Sequence, residues 1–123
     1  MTDRTWQDRA HEDLRVAQLL HDVGHAEATI SRAYYAAFYA AKAALDRLGQ
    51  QRETHAGVIS AFGRFAVKEG GADPAAGRAL RRLFDSRNRA DYDLVSVSND
   101  DALASIDRAK IVVDAVDAWL AKR

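Results

Sequence analysis

The sequence predicts an all-α protein built as an up-and-down bundle of about five helices. The chain contains a single proline, Pro74, and has no alternating apolar and polar run long enough for a strand. Apolar residues instead recur at helical spacing between glycines at which helices commonly end. The length of 123 residues suits one modest core, so we expect a single helical domain over residues 1–123.

The first two helices are expected to end at glycines. Helix 1 should run over about residues 3–22 and stop before Gly24, and helix 2 over about residues 26–48, closed by Gly49. On a helical wheel, helix 2 has a broad apolar sector that we assign to the core. Its members are Ile30, Tyr34, Ala37, Phe38, Ala41, Leu45 and Leu48.

Capping residues mark the beginnings of the other three helices. Helix 3 should begin near Thr54 and end before Gly70, and helix 4 should follow Asp73 and Pro74 and continue to about Arg89. Helix 5 should begin after Ser98, whose capping partner would lie three residues further along. We expect helices 1, 2 and 5 to pack antiparallel, with the shorter helices 3 and 4 completing the bundle.

The composition excludes several classes of protein. There is no cysteine, so thiol chemistry and cysteine-based metal sites are excluded, and the four histidines do not form a metal-ligand pattern; no metal or cofactor is predicted. The charged amino terminus does not resemble a signal peptide, and the longest apolar run, residues 33–41, is too short to cross a bilayer. We therefore expect a cytoplasmic protein with no membrane partner.

Charge is unevenly distributed although the formal net charge is zero. Helix 4 is rich in arginine, whereas the last thirty residues are rich in aspartate. A basic helix and an acidic helix can attract each other within one chain, form a dimer contact, or leave a local anion-binding site. Most of these charges are expected on a solvent-exposed face. The arginines are Arg78, Arg81, Arg82, Arg87 and Arg89.

Arg87 is the most informative charge because it falls on the apolar stripe of helix 4. It follows Leu80, Leu83 and Phe84 at helical spacing, so its side chain should point toward the core. A buried guanidinium needs a partner. Three arrangements satisfy this need: an ion pair with Asp91, an aliphatic stem along the core with its head in water, or a bound anion such as phosphate.

A second stripe of helix 2 alternates cationic and aromatic residues: Arg32, Tyr35, Tyr39 and Lys42. Tyrosine rings and cations suit single-stranded RNA or nucleotides, but the same tyrosines can pack against another helix or subunit. His55, beside the cap residue Thr54, is either a solvent-facing histidine at a helix end or a group brought into a site by folding.

Three segments resemble the HEPN family of small prokaryotic helical proteins: SRAYYAAFYAAKAAL, THAGVISAFGRFAVKEG and LFDSRNRADYD. The resemblance covers nearly the whole chain. It implies a bundle that forms a homodimer and is often paired with a minimal nucleotidyltransferase in toxin and antitoxin systems. Active members of the family cleave RNA without metal, using an Arg, a polar residue and a His separated from the Arg by four to six residues.

The resemblance places Arg87 and Asn88 at the Arg and polar positions, but the positions of the His hold Tyr92, Asp93 and Leu94. The catalytic histidine is therefore absent. Because Tyr and Asp have unperturbed pKa values far from neutrality, at about 10 and 4, both are weak bases near pH 7. A His55 brought in by folding would be a substitute.

We therefore expect the chain to bind RNA or nucleotide in preference to cutting RNA. The expected binding residues are Arg32, Tyr35, His55, Arg87 and Asn88. If the chain is an enzyme, it is a metal-independent endoribonuclease toxin with a substituted base.

The residues that would carry such catalysis are Arg87, Asp91 and Tyr92, and Tyr92 is also the expected target if a nucleotidyltransferase partner adenylylates the protein. A third hypothesis is a ligand-free dimerisation or adaptor module in which Arg87 and Asp91 are a structural pair.

Overall fold

The computed structural model describes residues 3–92 and 96–123, and these form five α-helices with no strand among them. The all-α prediction is therefore confirmed. In chain order the elements are α1 (Trp6–Asp22), α2 (Ala26–Arg47), α3 (His55–Ala61), which continues as a π-helical turn (Phe62–Lys68), α4 (Pro74–Tyr92) and α5 (Asn99–Ala121).

Four of the five described α-helices begin where a capping side chain satisfies a free N–H group, whereas His25 at the start of α2 makes no such bond. The Thr54 hydroxyl accepts from the N–H of Gly57 at 2.9 Å, and the Asp73 carboxylate accepts from Ala75 at 2.9 Å. Ser98 and Asp101 form the reciprocal capping box predicted for α5. Thr5 forms a second capping box with the third residue of α1, which makes α1 begin slightly later than expected.

The glycines that were predicted to end α1 and α2 have the backbone conformation that this role requires. Gly24 has a φ of 84° and Gly49 a φ of 67°, values that residues with a Cβ rarely adopt. The connection from α1 to α2 is consequently short, and the two helices form an antiparallel hairpin.

The four long helices alternate in direction. The start of α1 lies beside the end of α5, because Gln7 and His11 both contact Asp117, so α1 runs antiparallel to α5 as well as to α2. In contrast, Ile30 near the start of α2 packs with Ala102 near the start of α5. The expected antiparallel packing of helices 1, 2 and 5 is thus wrong for the α2 and α5 pair, because α4 is a full-length helix that returns the chain between them.

Helix α2 lies at the centre of the bundle, in contact with α1, α4 and α5. Six of its nine alanines are at most 2% exposed, and these small side chains let the neighbouring helices approach closely. They are Ala33, Ala36, Ala37, Ala40, Ala41 and Ala44. No helix in the described part of the chain is long and apolar enough to span a membrane. The central position of α2 also places Tyr34 and Tyr35 between helices, where they meet residues of α3 and α4.

Candidate functional site

Arg87 lies on the inner side of α4, as its position in the apolar stripe predicted. Its side chain is only 12% exposed. The guanidinium carbon lies 5.1 Å from the centre of the Tyr34 ring and 5.8 Å from that of Tyr35, so the charge rests against two aromatic faces of α2. The arrangement with the head of Arg87 in open water is therefore not the one observed.

The ion pair between Arg87 and Asp91, one of the three arrangements left open by the sequence, is present but loose. The Nε atom of Arg87 lies 3.4 Å from Oδ2 of Asp91, whose side chain is 42% exposed. The same Nε is buried and finds no well-directed hydrogen-bond acceptor among the described residues. Asp91 thus neutralises part of the charge but leaves a directional donor of the guanidinium unsatisfied.

His55 is joined to this cluster through the buried residue Tyr34. The Tyr34 hydroxyl and Nδ1 of His55 are 2.6 Å apart and share a hydrogen bond. The imidazole also stacks on Phe38, with ring centres 4.3 Å apart and planes 12° from parallel. The cap at Thr54 fixes where α3 begins, and this brings the first residue of α3 against the middle of α2.

Burial keeps both members of this hydrogen bond uncharged near neutral pH, and nearby cations add to this effect for His55 only. Burial lowers the pKa of His55, and the charges of Arg87 and Lys42 lower it further. Burial also raises the pKa of Tyr34 above the usual range, although the charge of Arg87 opposes that rise. A neutral imidazole has one donor and one acceptor nitrogen, and the tautomer decides which of them Tyr34 uses.

Arg32 and Tyr35 lie beside the same cluster. The Tyr35 ring meets the His55 ring edge-on at 5.9 Å, and the Arg32 guanidinium lies 5.7 Å from the centre of the Tyr35 ring. Arg32 also forms an ion pair of 3.3 Å with the mostly buried Asp13 of α1. The structure therefore brings Arg32, Tyr35, His55 and Arg87 into one region, with Arg32 at its outer side.

The remaining two residues of the second stripe of α2 face the amino-terminal part of α1. Tyr39 stacks on Trp6 with ring centres 5.6 Å apart, and its hydroxyl accepts a hydrogen bond of 2.7 Å from Arg9. The Lys42 ammonium lies 5.0 Å from the centre of the Trp6 ring. For Tyr39 the packing interpretation is the one observed, whereas Tyr35 faces the cluster of Arg87 and His55.

Asn88 and Tyr92 are not part of this cluster. Asn88 is half-buried on another face of α4, since consecutive residues of a helix point about 100° apart. Tyr92 is 78% exposed at the end of α4. Asp93 and Leu94, the other positions at which the family's histidine was sought, lie outside the described residues.

The sequence interpretation missed Tyr34 as a member of the site because its wheel position is in the apolar sector of α2. Tyr34 is fully buried and connects Arg87 with His55. Its ring contacts the Arg87 guanidinium, and its hydroxyl shares a hydrogen bond with His55. A signal was available: a tyrosine within a core stripe must find a partner for its hydroxyl, and no helix-local partner exists in the sequence.

Comparison with known proteins identifies the family. A model of the HEPN domain matches residues 4–119. The chain belongs to the HEPN domain family. It is 34% identical over 113 residues to a UPF0332 protein of Thermotoga maritima, covering 91% of this chain and 86% of that protein. It is also 34% identical over 107 residues to a Methanocaldococcus jannaschii protein that carries the provisional name "toxin", covering 87% and 80% of the two chains.

Because the chain belongs to the HEPN family, the position of His55 relative to Arg87 can be compared with the histidine that the family resemblance places after the Arg. This HEPN chain has no histidine after Arg87 in α4, yet folding joins an imidazole from α3 to the Arg87 cluster through Tyr34. The site therefore combines a buried cation, a neutral imidazole and a tyrosine hydroxyl. Such a set can bind a phosphate and exchange a proton with a neighbouring group.

Proposed function

We propose that this HEPN protein binds RNA or a nucleotide by placing a phosphate group against Arg87. The observation that supports this proposal most directly is the buried Nε of Arg87, which lies near Asp91 without a well-directed hydrogen bond. A phosphate oxygen is a strong acceptor with the charge and geometry that a guanidinium prefers. Asp91, being partly exposed, can turn toward solvent when a phosphate approaches.

The side chains around Arg87 suit the rest of a nucleotide. Tyr35 is half-buried and offers part of its ring for stacking, which tolerates any base. His55 provides a hydrogen-bonding nitrogen for a ribose or phosphate oxygen. Arg32 lies at the outer side of the cluster with 45% of its side chain exposed, where it can contact a further phosphate of the same strand.

The test is equilibrium binding of a fluorescent single-stranded RNA and of ATP, in EDTA, to the wild-type protein and to Arg87→Ala and Arg81→Ala. Arg81 is an exposed cation on the same helix, so the Arg81→Ala control has the same net charge as Arg87→Ala. We expect Arg87→Ala to weaken binding of at least one probe about tenfold, the size of a lost charge-assisted hydrogen bond. Equal affinities of the two variants, or no binding by the wild type, would contradict the proposal.

A second candidate function is metal-independent cleavage of RNA, and the position of His55 favours it. In this reaction the imidazole accepts the proton of a ribose 2′-OH, and the 2′ oxygen forms a bond to phosphorus. The bond from phosphorus to the 5′ oxygen breaks, leaving a 2′,3′-cyclic phosphate, and the departing oxygen takes up a proton. Arg87 would stabilise the negative charge that develops on the phosphoryl oxygens.

Cleavage of a mixed RNA pool in EDTA separates this candidate from binding alone. Activity in the wild type that is lost in both His55→Ala and Arg87→Ala would establish a ribonuclease with a substituted base. Activity that persists in both variants would identify a contaminating nuclease. If the wild type neither cleaves nor binds, and Arg87→Ala only lowers stability, the chain is a ligand-free adaptor module.

We further propose that the protein forms a homodimer and is the HEPN member of a pair with a minimal nucleotidyltransferase. The relative that carries the name "toxin" supports a place in such a system. Tyr92 is the expected site of adenylylation because its side chain is 78% exposed at the end of α4, where another protein can reach the hydroxyl.

Co-expression with a nucleotidyltransferase encoded beside this gene, followed by mass spectrometry, tests the pairing. We expect one added AMP on the peptide that contains Tyr92 and none in Tyr92→Phe. Tyr35→Phe is the matched control, because Tyr35 is half-buried between helices. AMP on another residue would contradict the assignment of Tyr92, and the absence of both a neighbouring nucleotidyltransferase gene and any modification would contradict the pairing.

A further inference from the structure

A second basic site lies between α4 and α5, on a face of α4 different from that of Arg87. It is a cavity of about 260 Å³, formed by residues of both helices, by the segment that leads into α5, and by one residue of α2. The lining residues are Ile30, Arg82, Ser86, Arg89, Ser96, Val97, Asp101, Ala104, Ser105 and Arg108.

The spacing of the lining residues shows that one face of each helix points into this cavity. Arg82, Ser86 and Arg89 recur at intervals of four and three residues along α4. Asp101, Ala104, Ser105 and Arg108 recur at intervals of three, one and three along α5. Because Arg87 lies on the side of Leu83 and Tyr34, it does not line this cavity.

The cavity has an excess of positive charge. Three arginines line it, Arg82, Arg89 and Arg108, against one acidic residue among the described residues, Asp101. Asp101 is already engaged in the cap of α5, where it accepts a hydrogen bond of 2.9 Å from the N–H of Ser98. Within residues 3–92 and 96–123, none of the three arginines forms an ion pair with a carboxylate.

The hydroxyl groups of the lining add hydrogen-bonding capacity to this charge. Ser105 is 1% exposed, which makes it one of the few buried polar residues of the described structure, and Ser86 is half-buried. Serine hydroxyls and guanidinium groups are among the donors that proteins commonly use for phosphate. The remaining lining consists of a third serine, Ser96, and of the apolar residues Ile30, Val97 and Ala104.

We propose that this cavity binds the phosphate group of a ribonucleotide, as a second anion site separate from Arg87. Its volume is slightly below the range of roughly 300–1,000 Å³ that is typical of sites for whole small molecules. It therefore suits a phosphate with part of its sugar, while the base remains outside. The negative charge of Asp101 would disfavour a second phosphate. Because one of its carboxylate oxygens is not used in the cap, Asp101 can also accept a hydrogen bond from a sugar hydroxyl.

The experiment is an NMR titration of the isotope-labelled protein with inorganic phosphate and with ATP. We expect saturable shifts of the backbone amides of Ser96, Val97, Ala104 and Ser105. Arg108→Gln and Ser86→Asp should each weaken binding about tenfold, the former by removing a donor and the latter by adding a like charge. Arg81→Gln should leave the affinity unchanged, since Arg81 is an exposed arginine of α4 that does not line the cavity.

A titration of the Arg87→Ala variant separates this proposal from the proposed function, because the cavity should keep its affinity for phosphate in that variant. Competition identifies the source of the phosphate. If single-stranded RNA displaces inorganic phosphate from the cavity, the natural ligand is an RNA strand; if only ATP does so, it is a free nucleotide. No saturable shift at the cavity residues, or equal affinities of the wild type and Arg108→Gln, would overturn the proposal.

Discussion

At the scale of single residues, the central question is how α4 tolerates Arg87 on its buried side. The charge is compensated in three ways: by the carboxylate of Asp91, by the ring face of Tyr34 and by partial exposure of the pair. None of these provides the well-directed acceptor that Nε requires. A protein that needed only stability would be better served by an apolar residue here, since replacing buried ion pairs by apolar side chains is often neutral or stabilising.

The hydroxyl of Tyr34 holds His55 in place, and removing it should be measurable. Tyr34→Phe keeps the ring against Arg87 but leaves Nδ1 of His55 without its partner. We expect a loss of about 1 kcal/mol in the free energy of unfolding, the usual size of one hydrogen bond. Urea denaturation measures it. Tyr35→Phe removes a hydroxyl from the adjacent residue and should lower the free energy of unfolding by less. An equal loss in the two variants would show that the hydrogen bond to His55 does not contribute measurably to stability.

His55 should also make stability depend on pH. Because its pKa is lowered in the folded protein below the ordinary 6.5, the folded state binds this proton less readily than the unfolded state does. The stabilising contribution is therefore complete above about pH 6.5 and is lost as the pH falls through the lower, folded pKa. Urea denaturation at a series of pH values should show a smaller loss below neutrality for His55→Gln than for the wild type. Parallel curves would contradict this.

At the scale of elements, the site depends on where α3 begins and on which face of α2 it meets. The Thr54 cap starts α3 at His55, and the buried residues Val58 and Ile59 then hold the helix against the core. The helix changes to π-helical geometry at Phe62, a change that the sequence did not reveal. Backbone hydrogen bonds that span five residues instead of four alter which side chains face the core, and apolar periodicity cannot distinguish this from a continuous α-helix.

Removing the cap should therefore affect both stability and the site. Thr54→Ala deletes the hydroxyl that accepts from the N–H of Gly57, and we expect a loss of about 1 kcal/mol in the free energy of unfolding. Because His55 is the next residue, affinity for RNA should fall with it. Ser60→Ala, an exposed position within α3, is the control for removing a hydroxyl. A Thr54→Ala protein with unchanged stability would contradict the assigned role of the cap.

At the scale of the whole molecule, sequence reasoning predicted most of the fold but only part of the candidate site. Caps and glycines are local signals, so the limits of α1, α2 and α5 were predicted to within a few residues. The parallel relation of α2 and α5 was missed, because the sequence alone does not show that α4 packs along the bundle as a full-length helix and so reverses the chain direction between them. The inward position of Arg87 could be predicted from its place on the apolar stripe of α4. Its connection to His55 through Tyr34 spans three helices, and no spacing within one helix encodes it.

Phosphate binding at Arg87, which we propose, can be measured through the dependence of RNA affinity on salt concentration. The logarithm of the binding constant falls linearly with the logarithm of the salt concentration, with a slope set by the number of phosphates contacted. We predict that Arg87→Ala reduces this slope by about one relative to the wild type, while Arg81→Ala leaves it unchanged. Identical slopes for the wild type and Arg87→Ala would show that Arg87 contacts no phosphate of the bound RNA and would refute the proposed function.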